Sequence, residues 1–281
     1  MRENANLVTV TGLPRAGSTL LCQLLAQHPD IYCEGQSSPL CNLLLGLRRM
    51  ASDDQFMLSR LDNAFADSYS HLRQAMTGFL RGWTETTPKK IVIDKNRAWL
   101  HCIELVLELA PETRMIVCLR ELGQVYGSIE AQHQKTILLD FIDHLADFDR
   151  MGRADMLFAK DKVIGAPLIS IHAVQDLPKG VRDRLYFVRF EDLIDKPTAC
   201  MQHLWQWLGV APLNLDPLRL SKNLVPESDS HYHMKYLHTQ QEAITRPVFH
   251  EIPPRIQGQI ETACSWFYKL YYPERIQPHC P

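Results

Sequence analysis

The 281-residue chain is 46% hydrophobic and 22% charged with a formal net charge of -2, enough for a large buried core and without the global signature of a nucleic-acid or anionic-membrane binder, so any anion site must be local. Its eight cysteines fall mostly inside apolar runs, without the CxxC pairs of a zinc site or the density of a disulfide scaffold, and read as buried thiols of a reducing compartment. No basic-then-apolar leader precedes Leu7 and no apolar run approaches the roughly 18 residues that span a bilayer, so a cytoplasmic protein with no integral membrane segment is expected.

Along the chain, "LVTV" (7–10), "KIVID" (90–94) and "RMIVCLR" (114–120) are continuous apolar runs too short for helices. Such runs fit strands covered on both faces, as in a parallel sheet. "RLYFVRFEDLI" (184–194) is similar but ends in alternation. Between the second and third runs, Trp99, Cys102, Ile103, Val106, Leu107 and Ala110 keep helical spacing up to Pro111. Residues 40–85 and 130–180 carry helical patterns with little strand signal, and a further helix is expected from about Thr198 to a stop at Gly209. The tail 211–255, rich in Pro, His and Ser, reads as loop. Strand alternating with helix predicts one α/β domain over 1–281, with a central, mainly parallel sheet in three layers and helical excursions over it.

The loop after the first strand, Gly12 to Gly17, has the GxxxxG spacing of a phosphate loop and runs through Ser18-Thr19 into a Leu-rich helix. Backbone N–H groups converge at such a turn, and the helix dipole adds about 0.3–1 kcal/mol for an anion there. In nucleotide hydrolases and kinases a Lys follows the second Gly and reaches the terminal phosphates; here Ser18 stands in its place, and Arg15 supplies the charge from inside the loop. Arg120 is placed at the carboxyl end of the third run, with Ser128 eight residues later in a following helix. Carboxyl ends of parallel strands are where an open α/β sheet holds its ligand, so Arg120 is expected on the same edge as the loop. Two anion devices on one edge suggest a ligand with two separated phosphates.

"TGLPRAGSTLL" resembles the 5′-phosphosulfate loop of sulfotransferases that use 3′-phosphoadenosine 5′-phosphosulfate (PAPS), and the Arg–Ser spacing of "LRELGQVYGS" is similar to their 3′-phosphate grip. The resemblance touches residues 7–34, 90–128 and 184–210. It implies a P-loop-like sulfotransferase fold in which Arg15, Ala16, Gly17, Ser18 and Thr19 surround the 5′-phosphate and sulfate while Arg120 and Ser128 hold the 3′-phosphate. Lys95, at the end of "KIVIDK", would approach the oxygen bridging phosphate and sulfur. Phe190, in "LYFVRFEDLIDKP", would contact adenine. The implied reaction moves a sulfuryl group from PAPS, as co-substrate without a metal, to a hydroxyl or amine. The expected acceptor is a small molecule, a lipid or a carrier-bound intermediate.

The general base is the open point of this reading. Small-molecule sulfotransferases place a His two residues after the Lys, where this chain has Arg97. Carbohydrate and tyrosyl-protein sulfotransferases use a Glu soon after the first helix, and "QHPDIYCEGQ" offers Glu34, although ungapped comparison puts Gln36 at that position. His101, His172 and the cluster His231, His233 and His238 are alternatives; the last has HxH spacing, but no carboxylate or Cys completes a metal site with it. Two other functions compete. One is a nucleotide-dependent phosphotransferase with Asp94 as magnesium ligand, the other a nucleotide-sensing module without catalysis. "PLCNLLLGL" either lines an apolar acceptor pocket or packs in the core.

Overall fold

The computed structural model describes residues 6–85, 87–141, 143–217, 220, 227–228, 237–238 and 242–275. Five strands, β1 (Asn6–Gly12), β2 (Ile31–Ser37), β3 (Ile91–Lys95), β4 (Arg114–Leu119) and β5 (Leu185–Arg189), form one sheet in the order β2-β3-β1-β4-β5, and every pairing is parallel. The three strands read from continuous apolar runs are its interior members, and all but the first residue of β1 and of β4 are buried. The α/β class with a central parallel sheet is thus the one expected. β2 is an addition to the strands read from sequence: it sits on an edge, is half exposed, and contains Glu34, Gly35 and Gln36.

The helices occur where the patterns place them, with shifted ends. α1 (Ser18–Leu25) follows the first loop, and the first excursion is α2 (Leu40–Asp53), α3 (Gln55–Asn63) and α4 (Phe65–Thr84). A 3-10 turn over Arg97–Cys102 leads into α5 (Ile103–Leu109), so the helix expected from Trp99 is regular only in its second half. α6 (Leu122–Lys135), α7 (Arg150–Phe158), α8 (Gly165–Ala173) and α9 (Lys179–Arg182) complete the second excursion. The run at 184–194 divides: β5 stops at Arg189, and α10 (Phe190–Asp195) begins with Phe190. In "FEDLID", Phe190, Leu193 and Ile194 have the i, i+3, i+4 spacing of a helix face, which overrides the apparent alternation. α11 (Pro197–Leu208) ends on Gly209 in the left-handed conformation (φ 74°), as expected of a glycine stop. The described part of the tail is loop up to α12 (Pro254–Ala263) and α13 (Ser265–Tyr271), apart from the backbone pair β6 (Glu227–Ser228) and β7 (Leu237–His238). No described helix is long and apolar enough to cross a membrane.

One hydrophobic core runs from Leu7 on β1 to Tyr272 beyond α13. Leu40, Cys41 and Leu44 of the Leu-rich stretch belong to it, so that segment packs rather than opening a pocket. Strand order positions the site. From β1 the chain crosses to the β2 side, and from β4 to the β5 side, so the loops leaving these neighbouring strands diverge. A crevice opens between them at the carboxyl edge.

Candidate active site

Gly12 ends β1 with φ 121°, and a Cβ there would lie 2.2 Å from the carbonyl oxygen of Cys118. Only glycine lets the loop start so close to β4, and Leu13 N then donates to that same carbonyl at 2.9 Å. Arg15 adopts φ 57°, in the left-handed region where a non-glycine residue costs about 1–3 kcal/mol. Gly17 repeats the left-handed turn at φ 78° as the cap of α1. That helix has no capping side chain and no acid in its first turn, whereas Asp54, Glu121 and Asp149 each cap the helix that follows them. The amino end of α1 therefore faces the crevice with its N–H dipoles uncountered by a carboxylate.

Arg120, 6% exposed, bends back from the end of β4, donates to the Arg15 carbonyl at 2.9 Å and lies over the ring of Phe190, 4.8 Å from its centroid. Phe190 in turn abuts Gly17, where a Cβ would come within 2.4 Å of the ring. Arg15 Nε donates to Ser128 Oγ at 3.1 Å, spanning from the loop to α6. Burial lowers the pKa of Arg120; Glu191 opposes that shift and the neighbouring Arg15 adds to it. Glu191 is itself engaged by Tyr272 Oη at 2.8 Å and by the Glu121 N–H at 3.1 Å. Glu121, next to Arg120 in the chain, is buried and receives Tyr268 Oη at 2.6 Å and Arg275 at 2.5 Å. Glu130 is held by Arg153 at 2.6 Å. Two guanidinium groups thus meet at one point with the nearby carboxylates committed elsewhere, an arrangement that favours an anionic ligand.

Lys95 closes β3 and is 6% exposed. The neighbouring thiols are pushed up, Cys33 by its hydrogen bond with Cys22 and then by burial, Cys118 by burial, and the Lys95 charge offsets part of each rise. Asp94 faces the other way. Trp99 Nε1 donates to its carboxylate at 2.7 Å, and burial pushes its pKa up to about 6, with the Glu34 charge adding to the rise. Glu34 is exposed on β2 and accepts a 2.6 Å bond from Tyr32 Oη. That bond first, then burial, pushes the tyrosine up to about 12. The register of β2 on β3 pairs Cys33 with Ile93 and Ser37 with Lys95, four residue steps against two. Glu34, Gly35 and Gln36 bulge opposite Asp94, and Gly35 takes φ 80° to allow it.

These elements enclose a cavity of about 560 Å³. Arg15, Gly17, Ser18, Thr19, Lys95, Arg120, Ser128 and Phe190 all line it, while Ala16 is buried behind the loop and Glu34 and Asp94 lie outside the lining. Five lining side chains are cationic (Arg15, Lys95, Arg97, Arg120 and Lys135), and no described lining residue is a carboxylate. His101 is exposed away from it, and His172 packs on Trp266 at a 4.3 Å centroid distance beside a separate cavity. His231 and His233 lie outside the described residues, and His238 is described only as backbone in β7. The histidine that does line the cavity is His250, from the tail. Its place is set by contacts with α6 more than a hundred residues earlier, which no local pattern announces.

Residues 8–214 match the family described as "Sulfotransferase family". The chain belongs to the sulfotransferase family. Among curated relatives of this chain, the nodulation protein NoeE of Sinorhizobium fredii is 25% identical over 232 residues, 73% of this chain and 50% of the relative. The omega-hydroxy-beta-dihydromenaquinone-9 sulfotransferase Stf3 of Mycobacterium bovis is 27% identical over 169 residues, 59% and 41% of the two chains. The chain thus spans half or less of the length of these relatives. Its fold is similar to that of the sulfotransferase domain from the Synechococcus PCC 7002 olefin synthase, with a TM-score of 0.51 at 18% identity over 94% of this chain and 96% of that one.

Proposed function

We propose that residues 1–281 act as one sulfotransferase domain that moves the sulfuryl group of PAPS to a hydroxyl or amine, releasing adenosine 3′,5′-bisphosphate (PAP). The observation that carries this reading is the join of Arg15 to Arg120 and Ser128 in a cavity lined by five cations and, among the described residues, no carboxylate. The reading assigns this edge two anion positions, one at each end of that join. The open amino end of α1, with Arg15, Gly17, Ser18 and Thr19 around it and Ala16 behind, receives the 5′-phosphosulfate. Arg120 and Ser128 receive the 3′-phosphate, and Phe190, between the two, meets adenine. In the transfer the acceptor oxygen or nitrogen attacks sulfur in line, its proton passes to a base, and the bond from sulfur to the bridging oxygen breaks. Lys95 stabilises the charge that grows on that oxygen. Glu34 is the proposed base.

The acceptor class is proposed as a small molecule, a lipid or a carrier-bound intermediate; the name of the Mycobacterium relative, a dihydromenaquinone sulfotransferase, supports the lipid option. A cytoplasmic location is proposed from the buried thiols of Cys22, Cys41, Cys102, Cys118 and Cys264. The phosphotransferase alternative needs Asp94 to hold magnesium, but that carboxylate is buried against Trp99 and lies outside the cavity. A thermal-shift series separates the two: PAP should stabilise the protein without magnesium. Stabilisation by ATP that appears only with magnesium, and none by PAP, would return the phosphotransferase.

Arg120→Ala is expected to weaken PAP binding about 10–150-fold, the worth of a charge-assisted bond, and to change adenosine 5′-phosphate binding little. Titration calorimetry with both ligands checks this. Equal losses would show that Arg120 reads the shared 5′ group instead.

A further inference from the structure

His250 comes from the loop before α12 and is tied to α6. Its backbone makes two bonds to one side chain of α6: Gln124 Nε2 donates to the His250 carbonyl at 2.9 Å, and the His250 N–H donates to Gln124 Oε1 at 3.0 Å. Gly127, the residue before Ser128, completes the seat. A Cβ there would lie 2.5 Å from His250 Cβ and 3.1 Å from Cγ, so the imidazole root is pressed onto α6 through the space a side chain would fill. The residue lines the same cavity as Ser128, Gln132 and Lys135.

We propose that His250 is a binding residue for the phosphate held at the Arg120–Ser128 end of the cavity, and that it takes up a proton when that phosphate arrives. This rests on the sulfotransferase reading of the site. The groups facing it are Arg120 from the end of β4, Arg15 from the first loop and Lys135 from α6, all cationic. Gln124, on the same helix, is neutral. Burial first, then these three charges, hold the imidazole below its ordinary pKa of 6.5. A phosphate dianion among the same groups reverses the sign of the field, because it neutralises the cations and accepts a bond from an imidazolium N–H. The pKa is therefore lower in the free protein than in the complex. The histidine's share of the affinity is complete below the free-state pKa and is lost as pH rises through that of the complex, by at most about tenfold per pH unit for one linked proton. A phosphate monoester releases its own second proton near pH 6, which strengthens binding in the opposite direction. The contribution of His250 must therefore be read as a difference between variants.

Calorimetric titration of the full chain with PAP from pH 6 to pH 9, in buffers of unlike ionisation enthalpy, measures affinity and proton uptake together for wild type, His250→Gln and His250→Lys. The affinity ratio of wild type to His250→Gln should be about tenfold or more at pH 6 and approach one at pH 9. His250→Lys, charged throughout, should keep tight binding at pH 9, and the extra proton taken up by wild type should be missing from both variants. A ratio that is the same at every pH, or proton uptake unchanged by His250→Gln, overturns the inference and leaves the sulfotransferase reading standing. Equal weakening of adenosine 5′-phosphate by His250→Gln overturns the assignment to the Arg120–Ser128 end. Failure of PAP to bind the wild type at any of these pH values overturns both the inference and the reading beneath it.

Discussion

Lys95→Ala is expected to lower the turnover of PAPS-dependent transfer by about 10²–10³-fold, the range found when one preorganised donor to a developing charge is removed. The bridging oxygen shares its charge with sulfur in the bound cofactor and carries it alone once the bond has broken. An ammonium placed beside it therefore interacts more strongly with the transition state than with the ground state, and only that difference raises the rate. Lys95 is suited to this because it is buried at the end of β3, where its charge is weakly screened and its position is set by pairing with β1 and β2. Burial also means that alanine leaves a void, so Lys95→Met, which keeps the aliphatic stem, is the companion variant. Both should bind PAP nearly as the wild type does and turn over slowly in single-turnover assays. If affinity falls and the rate per bound cofactor is unchanged, Lys95 is a ground-state anchor.

The parts of this arrangement legible in the sequence were those dictated by short-range physics. β1, β3 and β4 could be read because strands covered on both faces are dominated by apolar residues, with the buried polar ones of β3, Asp94 and Lys95, at its carboxyl end. The loop could be read because Gly12 and Gly17 stand at phosphate-loop spacing and take φ 121° and 78°, a demand made by the turn of the backbone itself. Arg120 and Ser128 followed from a strand end and a helix start on the same chain segment. What stayed hidden depends on partners distant in sequence. β2 is an edge strand interrupted by a bulge, and its pairing with β3 joins residues some sixty positions apart. Without that pairing nothing in "IYCEGQS" calls for a strand, and the site line of Glu34 had to be drawn by resemblance. His250 was missed for the same reason, since Gln124 and Gly127 seat it from another element, while the more conspicuous His172 turned out to pack on Trp266.

Glu34→Gln is expected to leave PAP binding intact and to reduce sulfuryl transfer to an alcohol by about 10²–10⁴-fold, the usual contribution of a positioned base. The acceptor must lose its proton as it attacks, and glutamine keeps the size and polarity of the side chain without the ability to receive one. The bulge sets Glu34 opposite Asp94, one residue before Lys95, and Ser37 at the far end of the bulge lines the cavity. A base here would approach the acceptor from the β2 edge, across from the Arg120–Ser128 end. Tyr32 gives an independent report on whether the substitution acted locally. Its hydroxyl is pushed up to about 12 chiefly by donating to the Glu34 carboxylate, so in Glu34→Gln the tyrosine should titrate closer to its ordinary value of 10.0. Asp94, pushed up to about 6 by burial with a smaller contribution from the Glu34 charge, should shift down slightly. Normal PAP affinity and the expected Tyr32 shift, together with transfer at the wild-type rate, would leave Glu34 as the acceptor of the Tyr32 hydrogen bond and move the base to another group. Loss of transfer with PAP affinity and the Tyr32 shift as expected would fix the proton's path at the bulge of β2.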